Sequence, residues 1–97
     1  MKVIFHPEAR EEFIASVVYY EGCVAGLGTD FREEVLLAVQ NALQHPDMWP
    51  DVGEGIRRCL VHRFPYAILY DATSTSFFIY AVMNLRRRPS YWKHRAP

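Results

Sequence analysis

Acidic residues almost disappear from the second half of this chain: after Glu54 only Asp71 remains, set against eight Lys and Arg. The first half is as poor in bases, with Lys2, Arg10 and Arg32 against ten acids, so a formal net charge of +0 conceals halves of −7 and +7. Such a split is expected of a chain whose later part meets phosphates or an acidic partner, or of two halves that neutralise each other on folding. Long apolar runs are also missing. None approaches the roughly 18 residues of a membrane span, and MKVIFHPEAR has no apolar signal-peptide core, so a soluble, cytoplasmic protein without membrane association is expected. Cys23 and Cys59 have neither the count nor the C-x-x-C spacing of a disulfide framework or a zinc site, and both are expected to be structural. There is no G-x-x-x-x-G-K-[ST], no G-x-G-x-x-G and no H-E-x-x-H, which removes the local signals of nucleotide cradles and zinc hydrolases. His6, His45, His62 and His94 lie far apart, so no metal site and no cofactor is expected. Ser16, Ser74, Ser76 and Ser90 lack the context of a nucleophile elbow.

What is present suffices for one compact domain spanning residues 1–97, with 51% hydrophobic residues and too short a chain for two cores. KVIF at 2–5 reads as a strand, closed by His6-Pro7. Pro7 suits the first turn of a helix, and Glu8, Glu11 and Glu12 suit its positive N-terminus. Ala9, Phe13, Val17 and Tyr20, with Ile14 and Val18 alongside, repeat at helical spacing up to Gly22, which offers a stop. GCVAGLGTD reads as a loop inside which a second helix can begin, with Thr29 as a candidate N-cap. Phe31, Val35, Ala38, Val39, Ala42 and Leu43 form that helix's buried stripe, Glu33, Glu34, Gln40, Asn41 and Gln44 its wet side, and Pro46 ends it. The period then changes: 56–62, 66–71 and 77–83 read as strands joined by links short enough to force antiparallel hairpins. The last is apolar on both faces, as an interior strand should be. The expected architecture is α+β, order β-α-α-β-β-β, with a helical hairpin on one face of a mostly antiparallel four-stranded sheet.

The remaining signal is arginine. Arg57, Arg58 and Arg63 lie on or beside the second strand, and Arg86, Arg87, Arg88 and Arg95 follow the fourth. Antiparallel pairing can bring the two groups onto one surface, where guanidinium forks bind phosphates bidentately. Tyr91 and Trp92 add planar faces for unpaired bases, each stack contributing roughly 1 to 3 kcal/mol. Basic plus aromatic is the footprint of single-stranded nucleic acid, which makes Arg57, Arg63, Arg87, Arg88 and Trp92 candidate nucleic-acid contacts. The blander reading has Trp92 capping a core edge, Pro89 turning the chain and the arginines solvating a surface. Tyr66, Tyr70, Phe78 and Tyr80 offer another possibility, a groove for a partner segment that folds on binding, although alternate members must fill the core under the helices.

These features in order, namely the element sequence, YYE at 19–21, the proline after the second helix, IRR at 56–58, RFPYAILY at 63–70 and RRRPSYW at 86–92, resemble the RelE/ParE superfamily of bacterial toxins, also called plasmid stabilisation proteins. The resemblance covers nearly the whole chain. It implies a type II toxin held inactive by a cognate antitoxin, as a toxin–antitoxin hetero-oligomer or with a homodimer as the free form. RelE-like members cut messenger RNA on the ribosome without a metal, and the resemblance places Arg58, Arg86 and Tyr91 at their catalytic positions: two phosphate-stabilising bases and a tyrosine that assists proton transfer. Two departures accompany it. Leu60 stands where those nucleases carry a second strand-two lysine, and Ala67 where an arginine follows Tyr66, with Arg63 and His62 the nearest substitutes. The resemblance implies growth arrest by ribosome-dependent cleavage of messenger RNA, the alternatives being a ParE-like inhibitor of DNA gyrase, which needs no nuclease residues, or an inactive antitoxin-binding module.

Overall fold

The computed structural model describes residues 1–96. β1, Lys2–Phe5, leads through His6 into α1, Pro7–Cys23. His6 Nδ1 accepts the Glu8 N–H at 3.1 Å, and Pro7 opens the helix where a missing N–H leaves nothing unpaired. α1 faces inward with Ala9, Phe13, Val17 and Tyr20. Ile14 and Val18, expected beside that stripe, are 46% and 66% exposed, because the sheet and the second helix together cover only one narrow stripe of α1.

α2, Leu27–Gln44, begins earlier than expected. Its N-cap is Gly26, at a φ of 89° that side-chain-bearing residues seldom adopt, and the capping acceptor comes from the other helix. The Glu21 carboxylate accepts the N–H groups of Gly26 at 2.9 Å and Gly28 at 3.1 Å. Thr29 therefore lies within the first turn and caps nothing, and Gly22, expected to stop α1, is helical. Gly28 has a packing reason as well: a Cβ there would stand 2.5 Å from the Val17 carbonyl oxygen, so only glycine lets the helices approach this closely. Cys23 is exposed and only Cys59 is a core residue, which corrects the expectation that both are structural.

β2 (Arg57–Leu60), β3 (Tyr66–Ala72) and β4 (Ser76–Asn84) complete a sheet of order β1-β4-β3-β2. β1 runs parallel to β4 and the other pairs are antiparallel, so β4 is interior, as its two apolar faces require, and so is β3. β2 is shorter than 56–62. Arg63 adopts a φ of 72°, and the turn closes with the Val61 N–H donating to the Tyr66 carbonyl at 2.9 Å.

The sheet divides the interior in two. Facing the helices, Cys59, Ile68, Tyr70, Phe77 and Ile79 meet Phe31, Val35 and Ala42. On the opposite face Ile56, Ala67, Leu69, Ala81 and Met83 are buried by the C-terminal tail, whose Trp92 is only 1% exposed. Tyr66, Tyr70, Phe78 and Tyr80, read as a groove with alternate members filling the core, divide between the two faces. Tyr66 and Tyr70 lie in the helix-side core, while Phe78 and Tyr80 pack 4.6 Å apart on the tail side.

Candidate functional site

Folding pairs some of the arginines with acids and leaves others without an ion pair among the described residues. Arg57 donates to the carbonyls of Asp47 at 3.3 Å and Trp49 at 2.6 Å and lies 3.8 Å from the Asp47 carboxylate, so it clamps the segment leading into β2. Arg63 sits 3.5 Å from Asp30. Arg95, whose side chain is 5% exposed, grips Glu12 with both terminal nitrogens at 2.9 and 3.0 Å, reaches Glu8 through Nε at 2.8 Å, and donates to the Tyr80 carbonyl at 3.0 Å. The acidic and basic halves of the chain thus neutralise each other in part. Arg58, Arg86, Arg87, Arg88 and Lys93 form no ion pair among the described residues.

The three residues expected to be catalytic occupy different surroundings. Arg58 projects from β2 on the tail side, where it lines a pocket of about 150 Å³ with Leu69, Met83, Ser90, Trp92 and Lys93. Arg86 lies just past β4 and lines a cleft of about 480 Å³ against α1, with Ser16, Tyr19, Tyr20, Tyr66 and Asn84. Tyr91 lines a neighbouring cleft with Glu12, Ser16, Tyr66, Asn84 and Arg87. Arg86 and Tyr91 therefore flank a continuous surface that shares Ser16, Tyr66 and Asn84, and Arg58 does not line it.

The Tyr91 hydroxyl is already engaged, donating to the Glu12 carboxylate at 2.6 Å. Burial first, then that hydrogen bond and the Glu12 charge, push its pKa well above the ordinary phenol value, so it holds its proton and directs it at Glu12. Its ring lies 4.1 Å from the Arg87 guanidinium and 4.9 Å from that of Arg95. Glu12 also accepts the Val82 N–H at 3.2 Å, capping β4 where β1 no longer pairs with it. On the same flank His94 meets Glu8 at 2.8 Å, and hydrogen bonding from His94, reinforced by Arg95, lowers the Glu8 pKa.

The expected nucleic-acid contacts divide likewise. Arg87 and Arg88 are exposed, Arg57 and Arg63 are tied to acids of the first half, and Trp92 is buried with Nε1 donating to the Pro89 carbonyl at 2.7 Å. The stacking face expected of Trp92 is thus filled by core, because the tail folds back over the sheet. Ala67 is fully buried in that same core, and Leu60 is 55% exposed on the edge strand. Sequence reasoning missed Glu8, Glu12 and Glu21 as organising acids. The spacing of Glu8 and Glu12 signals one helix face, but nothing local names Arg95 as the partner.

No family of known sequences matches the chain, and no curated protein does. Among solved structures it is similar to a chain of the chromosomal ParDE TA system from P. aeruginosa, with a TM-score of 0.72 and 14% sequence identity, covering 89% of this chain and 97% of that chain. The β-α-α-β-β-β arrangement expected from the sequence is thus a fold that the chain shares with a chain of that solved structure.

Proposed function

We propose that this protein is the toxin of a type II toxin–antitoxin system, restrained by a cognate antitoxin, and that it arrests growth by binding DNA gyrase rather than by cutting messenger RNA. The observation that carries the second half of this reading is the tail-side face of the sheet. Cleavage through a 2′-hydroxyl needs basic groups gathered around one phosphate and a side chain free to move a proton. Here that face is an apolar cluster sealed by Trp92, with Ala67 buried within it, and of the three residues expected to be catalytic only Arg58 lines the pocket beside it, together with Lys93. Arg86 and Tyr91 lie on the α1 flank, and the tyrosine's proton is committed to Glu12. The kinship in fold with a chain of the ParDE TA system supports the first half.

The presence of Arg58, Arg86 and Tyr91 in the sequence is what speaks for messenger-RNA cleavage, and the fact that Arg58 lines a different pocket from the other two speaks against it. Inducible expression of the chain alone, with message ends and plasmid topology followed in parallel, tests the proposal. Growth arrest with intact messages, together with inhibited supercoiling by purified gyrase, is the expected result. Ribosome-dependent cuts that disappear in Arg86→Ala would overturn it.

A further inference from the structure

We infer that Arg58, Ser90 and Lys93 form a receptor for one carboxylate carried on an apolar stretch of a partner protein, on the sheet face turned away from the helices. The inference deepens the reading of the chain as a protein restrained by a protein partner, and rests on it for the partner's class.

Arg58 is held in place from behind: its backbone N–H donates to the Pro50 carbonyl at 3.0 Å, and β2 fixes its direction by pairing it with Leu69 of β3. The Nε of its guanidinium is buried and has no hydrogen-bond partner among the described residues. Natural proteins seldom leave such a donor unpaired, and fewer still leave one unpaired on a charged group. The side chain opens onto a pocket of about 150 Å³ whose walls are largely apolar, from Val52, Leu69, Met83 and Trp92. Ser90 adds a hydroxyl and Lys93 an ammonium, and no Asp or Glu is among the lining residues. Neither Arg58 nor Lys93 pairs with an acid anywhere among the described residues. Two cations that pair with no acid among the described residues, and a hydroxyl, around one small space call for an oxyanion, and a guanidinium fork prefers one with two coplanar oxygens.

Size and surroundings select the carrier. The pocket holds a single acidic side chain and is too small for a nucleotide, and the nearest aromatic ring, Trp92, is buried and offers no face to a base. The apolar walls instead suit an aliphatic residue next to the acid. Arg58 then anchors a partner peptide through a charge-assisted hydrogen bond that forms only when the carboxylate arrives.

The test uses the full chain, labelled with ¹⁵N, and the arginine Nε–H resonances, with that of Arg58 identified by its loss in Arg58→Gln. Titration with N-acetyl-leucyl-glutamyl amide should shift the Arg58 resonance saturably, while the glutaminyl analogue should not. Lys93→Met and Ser90→Ala, both at exposed positions, should preserve the remaining spectrum. Lys93→Met should weaken binding about tenfold, the scale of one charge-assisted contact. Equal responses to the glutamyl and glutaminyl probes, no saturable shift, or tighter binding of uridine 5′-monophosphate would each overturn the inference, the last in favour of nucleic acid. The readout is binding, so a chain that fails to arrest growth refutes the proposed toxin activity and leaves this site standing. A silent Arg58 resonance does the reverse.

Discussion

Trp92→Ala separates two roles that the sequence leaves open, a platform for a base and a plug for the core. The ring is 1% exposed, rests on the cluster of Ile56, Leu69, Ala81 and Met83, and donates to the Pro89 carbonyl at 2.7 Å. A tryptophan buries about 150 to 250 Å², which at about 25 cal/mol per Å² is worth roughly 4 to 6 kcal/mol. Truncations of this type cost about 3 to 5 kcal/mol in practice. The tail here carries few other apolar anchors and can relax into part of the space, so the expected loss is about 3 kcal/mol. A domain of this size has roughly 5 to 15 kcal/mol in total, so the variant should still fold, with a Tm about 12 to 24 °C lower. Urea denaturation followed by far-ultraviolet circular dichroism measures the difference directly, and Trp92→Phe should recover more than half of it. A loss below about 0.5 kcal/mol, the range of ordinary surface substitutions, would refute the plug and return the ring to solvent as a stacking face.

Other expectations concern the acids. Glu12→Ala leaves Arg95 only Glu8 and the Tyr80 carbonyl and should cost about 2 kcal/mol, the scale of lost hydrogen bonds to a charged group, with the Tyr91 phenol titrating at lower pH than in the parent by ultraviolet difference spectroscopy. If Tyr91 keeps its titration, Glu12 is not its acceptor. Glu21→Ala removes the cap of α2 and should cost about 1 kcal/mol by urea denaturation, whereas Thr29→Ala should be close to neutral; the reverse order would show that the cap is misassigned. Glu8 has a folded pKa below its ordinary 4.5, so its contribution is present above that value and disappears as pH falls through the lowered folded value. Melting curves of Glu8→Gln and the parent should therefore differ at pH 7 and converge towards pH 3, and a gap that persists in acid would refute the linkage.

Legibility varied along the chain for physical reasons. β4 could be placed inside the sheet because both faces of residues 77–83 are apolar, and the stripe from Phe31 to Leu43 declared α2 because helical period is written locally. The start of α2 is not written locally, because Thr29 is a good capping residue by type while the actual acceptor, Glu21, belongs to the preceding helix. Ile14 and Val18 followed the apolar rhythm of α1 but remain exposed, since the width of a buried stripe depends on what packs against it. Of the candidate site, the sequence identified Arg58, Arg86 and Tyr91 as chemically interesting. It could not show that Arg58 and the other two line different surfaces.

By itself the sequence determined the order of helices and strands, the antiparallel hairpins and the charge asymmetry between the halves, because turns, periodicity and composition act over a few residues. Only the tertiary structure decided which charges remain available. Arg95 is silenced by Glu12, 83 residues away in the chain, and Trp92 is removed from solvent by strands it does not adjoin, while Arg58 keeps a buried donor without a partner among the described residues. Whether a guanidinium is paired or free depends on which surfaces folding brings together, and that proximity is a property of the packed chain and not of any segment within it.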